Sequence, residues 1–215
     1  MPARNSSNSV KFIHGHGASV IVLDRRISGL TTDTVRCDSE GGAYQLTQLL
    51  VKLGHQQIAM LTGPRGVSTA EDRVAGYQRA LADAGLTSPT ALVYHDAFSQ
   101  AGGYAMTQQA LAASPRPTAL FAANNFIALG ALKALQARDM RVPEDMAMVA
   151  FDDLPPAQAT VPLLTVAAQP AYEMGQVATQ LLLNRLAGAQ ARAEIVLPTE
   201  IILRHSSGRH LPGIP

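Results

Sequence analysis

Among 215 residues there is one cysteine and no tryptophan, with only 5% aromatic and 15% charged side chains. A single thiol, Cys37, builds neither a disulfide framework nor a cysteine-based zinc site. Charge of one sign is scarce as well: 17 Lys and Arg against 16 Asp and Glu leave +1, with no block of like charges. A free-standing nucleic-acid binder carries a basic face or stripe, so the chain does not read as one. No apolar run is long enough to span a bilayer, and the opening stretch MPARNSSNS lacks the apolar core of a secretory signal. The expectation is a soluble, cytoplasmic protein with no membrane partner. At this length the chain makes one large domain or two small lobes.

What is present is alternation. Short apolar or β-branched runs at Ser19–Leu23, Thr34–Cys37, Gln57–Leu61, Ala91–Tyr94, Thr118–Ala122, Met146–Phe151, Leu164–Ala167 and Ile195–Leu203 predict strands. Between them lie helical patterns with start and stop signals. Ala43, Leu46, Leu50 and Leu53 recur at helical spacing before Gly54. Ser68-Thr69-Ala70-Glu71 reads as a capping box for a helix through Val74, Tyr77 and Leu81 to Gly85. Ser99 and Asn124 are N-caps for the next two, and Pro170 is a first-turn residue of the last, which ends near Gly188. Runs such as MAMVAF are apolar on both faces, as a parallel sheet covered on both sides requires. The fold class is α/β, a doubly wound parallel sheet.

Most chemical motifs fail on inspection. Thr62-Gly63-Pro64-Arg65-Gly66 stands where a phosphate loop would, but it lacks Gly-Lys-Ser/Thr, and Pro64 removes a donor. His14 and His16 sit on a Gly-rich segment without a third ligand, so no metal site is expected. Asp152-Asp153 follows a buried strand, where carboxylates accept hydrogen bonds from ligand hydroxyls. No nucleophile or base partner accompanies the pair, which favours binding over catalysis. Phe98 lies between a strand and the Ser99 cap, at the mouth of the sheet, where an aromatic face can stack on a ligand.

A longer series of residues resembles the LacI/GalR family of bacterial transcriptional repressors. It runs from Leu53-Gly54-His55 and Gln57-Ile58-Ala59 through Gly63-Pro64, Arg73-Val74-Ala75-Gly76-Tyr77 and Ala84-Gly85-Leu86. Asn124-Asn125, Ala128-Leu129-Gly130, Val142-Pro143-Glu144-Asp145, Phe151-Asp152-Asp153, Leu164-Thr165-Val166 and Gln169-Pro170 follow in order, and the likeness covers residues 19–205. It implies a periplasmic-binding-protein-like sensor of type I, with a sugar or nucleoside-like effector held between two lobes. Asp24 is similar to the family's N-lobe carboxylate, Arg73 to its effector-binding arginine and Phe98 to the stacking aromatic. Asn124 resembles the amide beside the effector, Asp152 the hydroxyl acceptor, and Gln169 lies at the lobe crossover.

The resemblance also implies a division of the chain. Residues 1–17 are an irregular segment, 18–37 a remnant of the N-lobe, and 38–167 the C-lobe. Residues 168–197 are an N-lobe helix segment, 198–205 a C-lobe strand and 206–215 a flexible tail. The C-lobe is expected complete and the N-lobe truncated to about one strand and the helix 170–188. The family's helix-turn-helix headpiece has no counterpart here, so DNA is expected as a partner only through a headpiece outside this sequence. A homodimer is implied, with Ile127, Leu132 and Leu135 as a candidate dimer face, a stripe that reads equally as plain core. No cofactor is expected and no enzyme activity. Three departures from the family stand out: Asn125 for a common Asp, and Ala150 and Asp139 for common glycines. The competing readings are a sugar-binding protein of transport or chemotaxis type, a hydrolase or transferase using Asp152 or Asp153, and an aggregating gene fragment.

Overall fold

The computed structural model describes residues 7–27, 29, 32–86, 92–154, 164–189 and 192–208. In chain order the elements are α1 (Asn8–Gly15), β1 (Ile21–Leu23), β2 (Asp33–Cys37), α2 (Ser39–Lys52) and β3 (Ile58–Thr62). There follow α3 (Ser68–Asp83), β4 (Val93–His95), α4 (Gln100–Leu111), β5 (Ala119–Ala122), α5 (Asn125–Gln136) and β6 (Ala147–Phe151). The last are β7 (Thr165–Ala168), α6 (Ala171–Leu186), β8 (Glu194–Leu197), β9 (Glu200–Ile202) and a 3-10 turn at His205–Ser207.

The strands form two sheets, a three-stranded one ordered β1-β2-β8 and a six-stranded one ordered β4-β3-β5-β6-β7-β9. All pairings are parallel except β7 with β9. Strands β3, β5 and β6 are buried at every position, which is why their sequences lack polar alternation. Helices α2 and α3 pack as one pair and α4 and α5 as another. The second pair is brought close by glycine: a Cβ on Gly103 would lie 2.2 Å from the Ile127 carbonyl oxygen, and one on Gly130 2.0 Å from that of Gln100. Strand order reverses between β3 and β5, the place where open sheets of this class leave a crevice at the carboxyl ends.

The chain passes between the sheets three times: after β2, through Gln169-Pro170 into α6, and between β8 and β9. Helix α6 packs on β1 and β2. Asp33 fixes it there, accepting from Arg185 Nε at 2.6 Å and Nη2 at 3.0 Å and from the Ala193 N–H at 2.8 Å. The Arg185 hydrogen bond, above all, holds the Asp33 carboxyl below the usual carboxylate range.

Several expectations need correction. The small sheet has three strands where the sequence reading left one. Residues 8–15 are helical rather than irregular; Val10 is buried, and the Phe12 and His16 rings meet at 4.3 Å across one turn. The capping box does not form, because α3 starts after Val67 and both of its members are engaged elsewhere. Ser68 Oγ accepts the Arg26 N–H at 2.9 Å, and Glu71 Oε1 accepts that of Gly66. The run Ile195–Leu203 is divided between the sheets as β8 and β9. Pro170 occupies the N-cap of α6, one residue before its first turn. Ile127 and Leu135 are fully buried in the core, so they present no dimer face. Cys37 is buried in the core. Residues 1–6, Ala91 of the fourth predicted strand, and 209–215 of the predicted tail lie outside the described residues.

Ser206 and Ser207, read from sequence as tail, are buried. Ser206 Oγ accepts the Thr165 N–H at 2.8 Å and donates to the Met148 carbonyl at 2.6 Å, bridging β6 and β7 at the start of their ladder. Replacing Ser206 by alanine orphans both groups, and should destabilise the fold by about 1–3 kcal/mol in a urea titration. The opposite sign is expected at Asp139, which is exposed and holds φ at 53° at the end of α5. Asp139→Gly relieves that backbone and should add up to about 1 kcal/mol in the same titration.

Candidate functional site

Two aspartates end strands in the same unusual way. Asp24 follows β1 with φ 68° and Asp152 follows β6 with φ 66°, both left-handed. Each backbone N–H still completes its ladder, Asp24 to Val35 at 2.8 Å and Asp152 to Ala167 at 3.0 Å. The turn that follows leaves each side chain on the wall of one cleft of about 440 Å³. Asp24 and Leu23 line it from the small sheet, Asp152 and Asn125 from the large one, and Gln169, Ala171 and Met174 from the crossover and α6.

Behind Asp152 sits Arg73, in the second turn of α3 and 3% exposed. Its guanidinium carbon lies 3.8 Å from the Phe151 ring centroid, a stacked cation–π geometry. Nη1 donates to the Ala123 carbonyl at 2.6 Å and lies 3.8 Å from Asp152 Oδ2. Gln169 Nε2 donates to Asp152 Oδ1 in a short contact. Asp152 is therefore held from two sides, by the buried cation and by the crossover amide.

Asp153 has a different role from its neighbour. It pairs with Arg204 Nη1 and Nη2 at 2.7 and 2.6 Å, and that hydrogen bonding lowers its pKa. Both acids line the cleft, but the carboxylate of Asp153 is already taken by Arg204.

Among the described residues, the buried side-chain polar atoms without a hydrogen-bond partner are Asp24 Oδ1, Arg25 Nε, Thr62 Oγ1 and Arg73 Nε. Asp24 and Arg25 follow β1, Thr62 ends β3, and Arg73 is on the helix that follows β3. Buried polar groups are normally paired, and of these four Asp24 lines the cleft while Arg73 lies against Asp152. Asp24 shows the same stress. Burial raises its pKa; Arg73 opposes the rise, Asp152 adds to it, and Arg25 opposes it.

Of the six residues singled out from sequence, Asp24, Asp152 and Gln169 line the cleft and Arg73 touches Asp152. Asn124 is placed differently. Its Oδ1 caps α5 by accepting the Ile127 N–H at 2.9 Å, and it is Asn125 that lines the cleft. Phe98 packs over Gly63, where a Cβ would fall 2.2 Å from its ring, and it does not line this cleft. Sequence reading missed Asn125, Arg25 and Thr62. Asn125 stood out only as a departure from the family pattern, while Arg25 and Thr62 carried no local signal. Among the described residues no three His, Cys, Asp or Glu side chains are gathered to hold a metal ion. At the loop tested for phosphate, Glu71 already occupies the Gly66 N–H.

Comparison with known proteins adds the following. The family described as a periplasmic binding protein-like domain matches residues 47–207. The chain is 32% identical over 207 residues to the HTH-type transcriptional regulator CelR of Thermobifida fusca, covering 96% of this chain and 59% of that protein. It therefore spans little more than half the length of that curated relative. A solved complex of a transcriptional regulator CelR with cellobiose superposes with TM-score 0.83 at 30% identity, covering 94% of this chain and 71% of that one. A LacI family transcriptional regulator from Enterococcus faecium with bound ribose gives TM-score 0.84 at 30% identity, covering 94% and 76%. These relatives are transcriptional regulators, not enzymes. Among the described residues no helix is long and apolar enough to cross a membrane.

The strained carboxyl yields a pH test. An acid whose pKa rises on folding binds its proton more tightly when folded, so stability is complete below the unfolded aspartate range and declines as pH rises through the folded value. Asp24→Asn removes that loss. Its melting temperature at pH 7 should exceed the parent's by roughly 2–4 °C, with the gap closing toward pH 4 in a calorimetric series.

Proposed function

The chain belongs to the LacI/GalR family of transcriptional regulators, in its periplasmic binding protein-like effector region, and on that premise we propose that its cleft binds a small polyhydroxylated effector, sugar or nucleoside-like. The observation that carries the reading is the pair of unpartnered buried atoms, Asp24 Oδ1 and Arg73 Nε, on opposite sides of the boundary between the sheets. Asp24 and Asp152 offer acceptors for ligand hydroxyls, and charge-assisted bonds of this kind are about twice as strong as neutral ones. Arg73 lies 3.8 Å from Asp152 and supplies donors of its own, and Gln169 ties Asp152 to the crossover. Asn125 adds an amide whose Nδ2 at present reaches the Asp153 carbonyl at 3.3 Å.

In this proposal the three-stranded sheet with α6 is the N-lobe and the six-stranded sheet the C-lobe, joined by the three crossovers. A ligand that bridges Asp24 and Asp152 binds the closed arrangement better than the open one, and shifts the population by that difference. As in the longer relatives, the shift would be passed to DNA through a part of the protein beyond this sequence, in a homodimer. The relatives are named as transcriptional regulators, so the role proposed is sensing without catalysis.

A thermal melt against cellobiose, ribose and adenosine tests this. At about 100 times Kd a ligand should add close to 2.7 kcal/mol to stability. Asp152→Ala should weaken binding by roughly 10–100-fold, the loss of a charged hydrogen bond. A sharp, cooperative melt that no member of the panel moves would reject the reading.

A further inference from the structure

The cleft's two sides are held in register by an ion pair that lies beside it. Arg26 is two residues beyond Asp24, and Asp72 immediately precedes Arg73. Arg26 Nη2 pairs with Asp72 Oδ1, and the Arg26 backbone N–H donates to Ser68 Oγ at 2.9 Å. A loop of the small-sheet lobe is thus fastened to the first turns of α3, which belongs to the large-sheet lobe. We propose that Arg26, Asp72 and Ser68 are positioning residues, a clasp that sets Asp24 opposite Arg73 before a ligand arrives. The inference rests on the reading of the cleft as a ligand site.

Two independent observations support it. First, Ser68 is the first residue of α3, directly after the N-cap Val67, and α3 has no side-chain cap. Its hydroxyl, nearly buried, serves the other lobe instead. The hydroxyl is committed to a bond 42 residues away in sequence rather than to the first turn of its own helix. Second, the Arg26 side chain is 42% exposed and that of Asp72 17%, so the pair meets water and can open. The geometry is that of a fastener that can be released, unlike the bidentate Asp33–Arg185 pair, in which the acid is almost wholly buried.

The consequence for the cleft follows from chain connectivity. With the clasp closed, Asp24 is buried beside Arg73 and Arg25 with an oxygen unpartnered. The clasp thus works against the cleft's own unsatisfied groups, and a ligand that satisfies them acts in the same direction as the clasp. Opening the clasp lets Asp24 move to water and leaves the ligand to bring the lobes together unaided.

Hydrogen exchange of the full chain, without ligand, tests this on Arg26→Gln, Asp72→Asn, Ser68→Ala and the double swap Arg26→Asp with Asp72→Arg. Each single variant should speed exchange of segments 19–27 and 66–73 by about tenfold, while the global melting temperature changes little. The swap should restore most of the protection lost on removing the ion pair, and high salt should loosen the parent more than the variants. Unchanged exchange in Asp72→Asn and Ser68→Ala overturns the clasp. So does a uniform loss of protection with a fall in melting temperature, which marks ordinary structural support. Because this readout needs no ligand, its failure is separable from an unresponsive melt with cellobiose, ribose or adenosine, which would overturn the sensor reading instead.

Discussion

The arrangement of the cleft depends on one buried guanidinium. Withdrawing a full positive charge from water carries a penalty of several kcal/mol unless its donors and field are met from within. Arg73 is met by three groups from the ends of two strands: the carbonyl that follows β5, the aromatic ring that ends β6, and the carboxylate one residue beyond that ring. Those contacts fix how the carboxyl ends of β5 and β6 sit relative to α3. They also fix Asp152, and through the crossover amide of Gln169 they reach the chain as it leaves one sheet for the other. What is left unmet on Arg73 is its Nε, the donor that the proposed effector would engage.

Around that charge the fold divides its labour. The large sheet is rigid by construction, with central strands covered on both faces and helix pairs drawn together by glycine. The small sheet is less enclosed: α6 buries only Met174 and Ala178, and Tyr172, Leu183 and Leu186 remain exposed. A firm lobe that carries most of the charged apparatus and a lighter one that carries Asp24 suit a device in which the second moves against the first.

The parts legible in the sequence were those decided locally. MAMVAF had to be a doubly covered strand because no alternating pattern competes with its continuous apolar run. Ser99 and Asn124 cap their helices through bonds to residues three positions on, which spacing alone reveals. The misreadings were set by distant partners. The hydroxyl of Ser68 is taken by Arg26, and that of Ser206 by Thr165 and Met148, so a capping motif and a frayed tail were both inferred from local pattern alone. Helix α1 was overlooked because it is only eight residues long, lies in a Ser/Asn/Gly-rich stretch and buries only Val10. The cleft followed the same rule. Strand-end aspartates announce themselves by position, whereas the capping geometry that turns Asn124 away and brings Asn125 forward is fixed only once α5 is built.

The left-handed backbone at Asp24 and Asp152 has a consequence of its own. Such a conformation is disfavoured for any residue but glycine, and asparagine or aspartate tolerate it best. With φ and ψ fixed by the strand's last ladder bond, each carboxylate has little left to search but its own side-chain torsions. The entropy of aiming these acceptors is therefore lost when the chain folds, not when a guest arrives. Recognition then gives up less disorder for each bond formed, and selectivity is vested in the spacing of two stiff points that a guest must match.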